Sequence, residues 1–235
     1  MYKTIIFDLD DTLTDDYENT KEAFKLTMKE IKQEYTEQNF IKFHTIDKQT
    51  WKRRAEGKII TPYEDNKEKK AEWLRAHRFL EYFNNKISYE EAVSANEIYM
   101  NKMKEKVLCR EGALEIIKYL YEKGYQLLIA TNGPVIPLKT KIEKIGIQDY
   151  ITTIFSAEEV GFMKPHKKFY DGLFEKAKIE EKEQVLFIGD ELEKDIKGGI
   201  EYGIDTCWYR WKEENEILWK PKYEINQLSD LKKIL

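Results

Sequence analysis

Short apolar runs alternate with helix-like segments through much of this chain of 235 residues. The runs that predict strands are Lys3 to Leu9, Gln126 to Thr131, Thr153 to Ser156, Val185 to Asp190 and Asp205 to Tyr209. Segments with helical spacing separate the later runs, and Asp195 to Tyr202 is one of them. Strands that alternate with helices predict a parallel sheet with helices on both faces. We therefore expect an α/β fold with a Rossmann-like parallel-sheet core.

A long stretch, roughly residues 15 to 108, separates the first of these runs from the rest and has helical spacing. Its apolar residues recur three or four positions apart, as in the set Phe24, Met28, Ile31 and Tyr35. Ser88-Tyr89-Glu90-Glu91 has the pattern of a capping box that opens a further helix. We expect this stretch to form an inserted α-helical bundle. The predicted units are a core of 1–14 with 109–235 and a helical insertion of 15–108.

Four polar segments end or closely follow the strand-like runs. They are Asp8-Leu9-Asp10, Thr131-Asn132-Gly133, Lys164-Pro165, and Gly189-Asp190 with the residues to Asp195. In open parallel sheets, ligands bind outside the carboxyl ends of the strands. All four segments fall at such ends or in the loops that leave them, which predicts that they form one site.

Asp8 and Asp10 stand two positions apart at a strand end, so their side chains can point to the same side. Two carboxylates this close repel each other and require a cation beside them. Magnesium fits, because it accepts carboxylates and backbone carbonyls while it keeps several waters. One carboxylate can attack phosphorus and form an aspartyl-phosphate, and the other can protonate the leaving oxygen and later activate water. The alternative is that both residues only cap a turn.

Thr131, Asn132 and Lys164 supply groups that can bind a phosphoryl group. The Thr131 hydroxyl and the backbone N–H groups after it stand where the next helix begins, which suits phosphoryl oxygens. A lysine in the Lys164 position would offset the charge of the phosphoryl group and of Asp8. The alternatives are an ordinary Asn-Gly turn and a solvated surface lysine.

Asp190 follows a strand-like run and is placed to ligate the metal. Asp195, five residues later, is expected to orient Lys164 or a metal-bound water without binding the metal itself. The alternative for Asp195 is a helix N-cap.

Composition excludes several classes of protein. A net charge of −4 and a pI near 5.7 leave no basic surface for a nucleic acid polymer. No apolar run approaches the length that spans a bilayer, and two cysteines make no disulfide framework. We expect a cytoplasmic, reduced protein that acts on a small molecule, and both a monomer and a homodimer stay open.

Together, the four segments resemble the motifs of the haloacid dehalogenase superfamily of phosphohydrolases. The resemblance implies that Asp8 is the nucleophile, Asp10 the general acid and base, and Thr131 and Lys164 the phosphoryl-binding residues. It also implies a magnesium site, with manganese as an alternative, whose ligands come from Asp8, the backbone carbonyl of Asp10, and Asp190. The helical insertion resembles the family's helical cap of the first type, which closes over the site. An acidic residue at the Asp10 position is typical of phosphatases rather than of the dehalogenases themselves.

Further segments resemble the pyrimidine 5′-nucleotidase branch of that superfamily. They are Ser156 to Gly161, Lys164 to Phe169, Gly189 to Ile200, and Gly203 to Trp208. The resemblance implies a small phosphate ester as substrate, namely a nucleoside 5′-monophosphate. Phosphatases of N-acylneuraminate 9-phosphate share part of the pattern. Three alternatives therefore stay open. The first is a sugar-phosphate-type phosphatase, for N-acylneuraminate 9-phosphate or phosphoglycolate, the second is a phosphomutase, and the third is a non-enzymatic binding protein.

Two residues depart from the family pattern. Glu191 stands where the family often has a small polar residue, and we expect it to add a carboxylate near the metal. Pro134 directly follows Gly133 and is expected to stiffen the phosphate-binding loop.

Overall fold

The structure, a computed structural model, describes residues 1–55, 57–59, 61–63, 66–133, 135–212 and 218–235. The chain divides into two compact units, Met1–Asp16 with Val107–Leu235, and Tyr17–Lys106. Pro134 and its expected effect on the loop lie outside the described residues. Among the helices of the described ranges, none has both the length and the apolarity that crossing a membrane requires.

In the part of the first unit that the structure describes, six parallel strands form one sheet, in the spatial order β3-β2-β1-β4-β5-β6. They are β1 (Thr4–Phe7), β2 (Gln126–Thr131), β3 (Thr153–Ser156), β4 (Val185–Gly189), β5 (Asp205–Tyr209) and β6 (Tyr223–Ile225). The predicted α/β fold is confirmed. β1 and β4 are shorter than predicted, since β1 ends at Phe7, one residue before Asp8, and β4 ends at Gly189, one residue before Asp190.

Eight α-helices complete the described secondary structure, together with several short helical turns. They are α1 (Asp16–Glu30), α2 (Glu37–Ala55), α3 (Lys67–Tyr82), α4 (Tyr89–Glu105), α5 (Ala113–Glu122), α6 (Val135–Lys144), α7 (Lys167–Ala177) and α8 (Lys197–Tyr202). The helix expected from Asp195 begins later, at Lys197, because the five residues Leu192–Ile196 form a π-helical turn. Such turns often occur at functional sites.

Successive residues of the central strands face two separate hydrophobic cores. In β1, Ile5 and Phe7 join the core that includes α5 and α6, whereas Ile6 joins the core that includes α7. All three side chains are fully buried. Because side chains alternate across a strand, a sheet with helices on both faces needs such uninterrupted apolar runs.

An aromatic core holds the helices of the second unit together. The rings of Phe24 and Phe43 stack with centroids 4.6 Å apart, and Phe79 lies 4.9 Å from Phe43. The capping box at Ser88 is confirmed, since its side chain accepts from the Glu91 N–H and the Glu91 side chain accepts from the Ser88 N–H. α1 ends at Glu30, so the expected continuation of its stripe to Ile31 and Tyr35 is wrong. The chain turns there, with Lys32 in a left-handed conformation at φ 56°.

Candidate active site

Three adjacent strands bring the polar segments to one edge of the sheet. β1 lies between β2 and β4, and Phe7 is in register with Ile129 and Ile188. The residues that follow these strands therefore emerge side by side. The Asp8 N–H extends the ladder by donating to the Ile188 carbonyl at 2.8 Å. The sheet thus gathers the ends of β2, β1 and β4 at one edge.

The Lys164 ammonium lies at the centre of the buried part of the site. Its Nζ donates to Asp8 Oδ1 at 2.6 Å, to Asp195 Oδ1 at 2.7 Å and to the Ala130 carbonyl at 3.0 Å. Lys164, Asp8 and Asp195 are 4%, 7% and 1% exposed, respectively. Burial lowers the pKa of Lys164, but the two carboxylates outweigh burial and raise it, so the ammonium stays charged.

Asn132 holds the Lys164 segment in place. Its Nδ2 donates to the Lys164 carbonyl at 3.2 Å, and its Oδ1 accepts from the Lys164 N–H at 2.7 Å. The sequence predicted that Asn132 binds phosphate, but both polar atoms of its side chain are used by Lys164. A phosphate contact from Asn132 would therefore use the second hydrogen of Nδ2 or the backbone N–H.

Thr131 ends β2 with its side chain facing the loop that follows. Its Oγ1 accepts from the Gly133 N–H at 3.0 Å, so the hydroxyl hydrogen points elsewhere and can donate to a ligand. Ser156 Oγ donates to the Gly133 carbonyl at 2.6 Å and holds the other side of the loop. A Cβ atom at Gly133 would lie 3.5 Å from Asp10 Oδ2, which places this loop against the Asp10 carboxylate.

Asp190 is held by two tryptophans and a threonine, none of which the sequence predicts as a site residue. Its carboxylate accepts from Thr12 Oγ1 at 3.3 Å and from Trp211 Nε1 at 3.1 Å. The Asp190 carbonyl accepts from Trp208 Nε1 at 2.9 Å. The sequence predicts Trp208 as part of a strand, but the hydrogen bond from its indole to the Asp190 carbonyl depends on the pairing of β4 with β5.

Asp8, Asp190 and Asp195 can each place a carboxylate oxygen within 4.8 Å of the others. Among the described residues, the Lys164 ammonium pairs with two of these three buried carboxylates, Asp8 and Asp195, so three carboxylates share one cation. Burial, with Asp195 as the next cause, raises the pKa of Asp190 to about 7. Burial is also the main cause that raises the pKa of Asp8, against the effect of Lys164. Buried oxygens with uncompensated charge fit a hard divalent cation such as magnesium.

The predicted metal ligands Asp8 and Asp190 belong to this cluster, whereas the Asp10 carboxylate does not. Only the backbone carbonyl of Asp10 is therefore left as its contribution. Asp195 accepts from Lys164 and, through Oδ2, from the Glu191 N–H at 3.1 Å. These contacts agree with a role in orienting Lys164 and do not resemble a helix N-cap.

The Asp10 carboxylate contacts Lys141, a residue that the sequence did not single out. Lys141 Nζ lies 2.5 Å from Asp10 Oδ1 and 2.5 Å from Asp16 Oδ1. Glu191, expected near the metal, pairs instead with Lys194 at 3.0 Å and is 37% exposed. Its influence on the site is electrostatic, since it helps to raise the pKa of Asp190.

Arg110 links the Asp8 to Asp15 segment to Trp211. Its guanidinium donates to the Asp11 carbonyl at 3.3 Å, to Asp11 Oδ1 at 3.0 Å and to Asp15 Oδ2 at 3.1 Å. The same group stacks on the Trp211 ring at 3.8 Å from its centroid. Arg110 therefore supports the indole that donates to Asp190.

Residues 2–203 match the haloacid dehalogenase-like hydrolase family. The chain is 30% identical to the HAD-hydrolase YfnB of Bacillus subtilis (strain 168) over 238 residues, which cover 100% of this chain and 95% of YfnB. It is 28% identical to the pyrimidine 5′-nucleotidase YjjG of Escherichia coli (strain K12) over 235 residues, with 98% and 96% covered. It is also 31% identical to the glyceraldehyde 3-phosphate phosphatase of Pyrococcus abyssi (strain GE5 / Orsay) over 241 residues, with 100% and 94% covered.

The crystal structure of YfnB bound to magnesium has the same fold. It superimposes with a TM-score of 0.84 at 28% identity and covers 100% of this chain and 98% of YfnB. The similarity therefore extends over both units of the chain, including the helical one.

Proposed function

The chain belongs to the haloacid dehalogenase-like hydrolases, and from this premise we propose that it is a magnesium-dependent phosphatase that hydrolyses a pyrimidine nucleoside 5′-monophosphate. The resemblance to this family, inferred from four short segments, is confirmed. The observation that carries the proposal is the buried contact of Lys164 with Asp8 and Asp195 beside Asp190. A reactive carboxylate, a fixed ammonium and an acidic cluster at one sheet edge are the parts that phosphoryl transfer through an aspartate requires.

In the proposed first step, an Asp8 carboxylate oxygen attacks phosphorus and forms a new O–P bond. The bond from phosphorus to the ester oxygen breaks, and Asp10 gives its proton to the departing alcohol. In the second step, a water oxygen attacks the phosphorus of the aspartyl-phosphate while Asp10 takes up a proton. The bond between phosphorus and Asp8 breaks, so inorganic phosphate leaves and both carboxyl groups return to their starting forms.

Lys164 and Thr131 are the proposed ligands of the phosphoryl oxygens. Lys164 is already held in position by Asp195 and by Asn132, so no reorganisation is needed when the charge on the phosphoryl group changes. The Asp8 and Asp190 carboxylates and the Asp10 carbonyl would hold the metal. When bound, magnesium supplies positive charge that offsets the repulsion between Asp8 and the phosphoryl group.

The choice of a nucleotide as substrate rests on similarity to YjjG, which is named a pyrimidine 5′-nucleotidase. A phosphatase for a small sugar phosphate is the second candidate, because the Pyrococcus abyssi relative is named a glyceraldehyde 3-phosphate phosphatase at 31% identity. We also propose that the helical unit Tyr17–Lys106 is the cap whose residues select the leaving group.

The decisive test is phosphate release from a panel of esters with magnesium. The panel contains pyrimidine and purine nucleoside monophosphates, sugar phosphates, phosphoglycolate and N-acylneuraminate 9-phosphate. Asp8→Asn should abolish release from every ester, whereas Asp149→Asn, at an exposed position, should not change it. Preference for pyrimidine monophosphates supports the proposal. Release from sugar phosphates alone selects the second candidate, and full activity of Asp8→Asn refutes the mechanism.

A further inference from the structure

Asp10 has two carboxylate oxygens in different surroundings. Oδ1 lies 2.5 Å from Lys141 Nζ. Oδ2 faces the loop after β2, since a Cβ atom at Gly133 would stand 3.5 Å from it. The oxygen that Lys141 leaves uncovered is thus the one beside the proposed phosphoryl-binding loop. A general acid needs its reactive oxygen within hydrogen-bond reach of the bound ester.

Lys141 is itself firmly held. It extends from α6 and also contacts Asp16 Oδ1 at 2.5 Å, and its side chain is only 15% exposed. Burial lowers the pKa of Lys141, but Asp10 and Asp16 outweigh burial and raise it, so the ammonium is charged. A charged group between two carboxylates has little freedom to move, and it can therefore fix the position of a partner that is itself 38% exposed.

We propose that Lys141 is a positioning residue for Asp10, which holds one carboxylate oxygen so that the other faces the leaving group. The inference rests on the proposed function, in which Asp10 is the general acid and base. It adds a residue outside the four motifs, on a helix rather than at a strand end. The alternative is a purely structural ion pair, in which Lys141 only holds α6 against the segment from Asp8 to Asp16.

Esters with different leaving groups separate these two roles. A nitrophenolate departs without a proton, whereas a simple alcohol needs one, so loss of a positioned acid harms alkyl esters most. kcat/KM reports the steps up to cleavage of the ester bond and leaves out the later hydrolysis of the aspartyl-phosphate. A purely structural ion pair would lower kcat/KM for both kinds of ester by the same factor.

The experiment compares kcat/KM for nitrophenyl phosphate and for an alkyl phosphate such as a nucleoside monophosphate, with magnesium present. Lys141→Met should lower the value for the alkyl ester by about 10- to 100-fold, and that for nitrophenyl phosphate by less than about 3-fold. Asp10→Asn should change the ratio of the two values in the same direction and further. Lys141→Arg should restore most of the alkyl activity, because it keeps a cation in this place.

Lys139→Met is the matched control, since it makes the same substitution at an exposed position of the same helix. It should leave both values unchanged. If Lys141→Met does not fold, Lys141→Gln provides the same ratio, because it removes the charge and keeps a polar side chain.

Each failure has a different pattern. An equal loss for both esters in Lys141→Met, with a selective loss in Asp10→Asn, overturns the positioning role alone. An unchanged ratio in Asp10→Asn overturns the acid role of Asp10 and the inference with it. Absence of phosphate release by the wild-type protein from every ester overturns the proposed function as well.

Discussion

The ammonium of Lys164 lies 2.6 Å from the carboxylate of Asp8, and both side chains are almost completely buried. In the proposed mechanism the Lys164 charge is therefore needed twice, because it compensates Asp8 and Asp195 in the free protein and would meet the phosphoryl group during the reaction. A buried ion pair becomes costly when one partner is removed, since the other charge is then left without compensation.

Lys164→Met should destabilise the protein and inactivate it. We expect a loss of about 3 kcal/mol in the free energy of unfolding, because Asp8 and Asp195 lose their cation. Phosphate release should fall by at least about 100-fold. Urea unfolding and kcat measure the two effects, with Lys167→Met, at an exposed position, as control. A variant with wild-type stability would contradict the contacts described for Lys164.

Gly189→Ala should displace Asp195. A Cβ atom at this position would lie 2.3 Å from Asp195 Oδ2, so the carboxylate that orients Lys164 has to move. Gly199→Ala is a matched control, because its Cβ would lie 2.4 Å from a Thr206 methyl group, away from the acidic cluster. Both variants should lose stability through overpacking, by about 1–3 kcal/mol.

Activity per folded molecule separates the two glycine variants. We expect this activity to fall strongly in Gly189→Ala and to stay near the wild-type value in Gly199→Ala. Circular dichroism measures the folded fraction by which each activity is divided. Equal specific activities would show that the position of Asp195 has no influence on turnover.

Trp211→Phe should weaken magnesium binding, because Asp190 loses the indole hydrogen bond that orients its carboxylate. Outer hydrogen bonds of this kind contribute about 10-fold or more to metal affinity. Trp219→Phe is the control, since its indole donates at 3.1 Å to Glu193, outside the acidic cluster. Isothermal titration calorimetry with magnesium measures the affinity of each variant. Equal affinities in the two variants would argue against an orienting role for Trp211.

Magnesium should raise the melting temperature of the wild-type protein, since a ligand that binds only the folded state stabilises it. Burial raises the pKa of Asp190 to about 7, so below this pH the folded, metal-free protein holds a proton that magnesium has to displace. The shift in Tm should therefore be larger at pH 8 than at pH 6. Asp190→Asn should remove most of it, and a shift that grows as the pH falls would contradict the assignment.

The two thiols should differ in reactivity. Cys207 is fully buried, and burial raises its pKa to about 12, whereas Cys109 is exposed. A thiol reagent should modify one cysteine per folded chain and two in urea, and the reaction with Cys109 should become faster as the pH rises, because the thiolate is the nucleophile. Cys109→Ser should abolish labelling of the folded protein. Rapid labelling of this variant would show that β5 opens readily.

The elements that the sequence predicted well depend on local patterns. Short runs with apolar centres predicted β2, β3 and β5 with the bounds that the structure has, because strands of a sheet covered on both faces bury successive side chains. The capping box at Ser88 is equally local. Less local features were missed, such as the end of α1 at Glu30 and the π-helical turn Leu192–Ile196, which depend on how the chain packs next.

The sequence alone determined the family, the parallel sheet and the carboxylates, hydroxyl and ammonium that stand at its strand ends or in the loops after them, since these are properties of residue type and order. The tertiary structure decided which of these groups touch. It turned the Asn132 amide toward the Lys164 backbone, directed Glu191 to Lys194, and brought Trp211 to Asp190. It also placed Lys141 on Asp10, across 131 positions of the chain. Such pairs join residues far apart in sequence, so their geometry exists only once the strands are in register and the helices are packed against them.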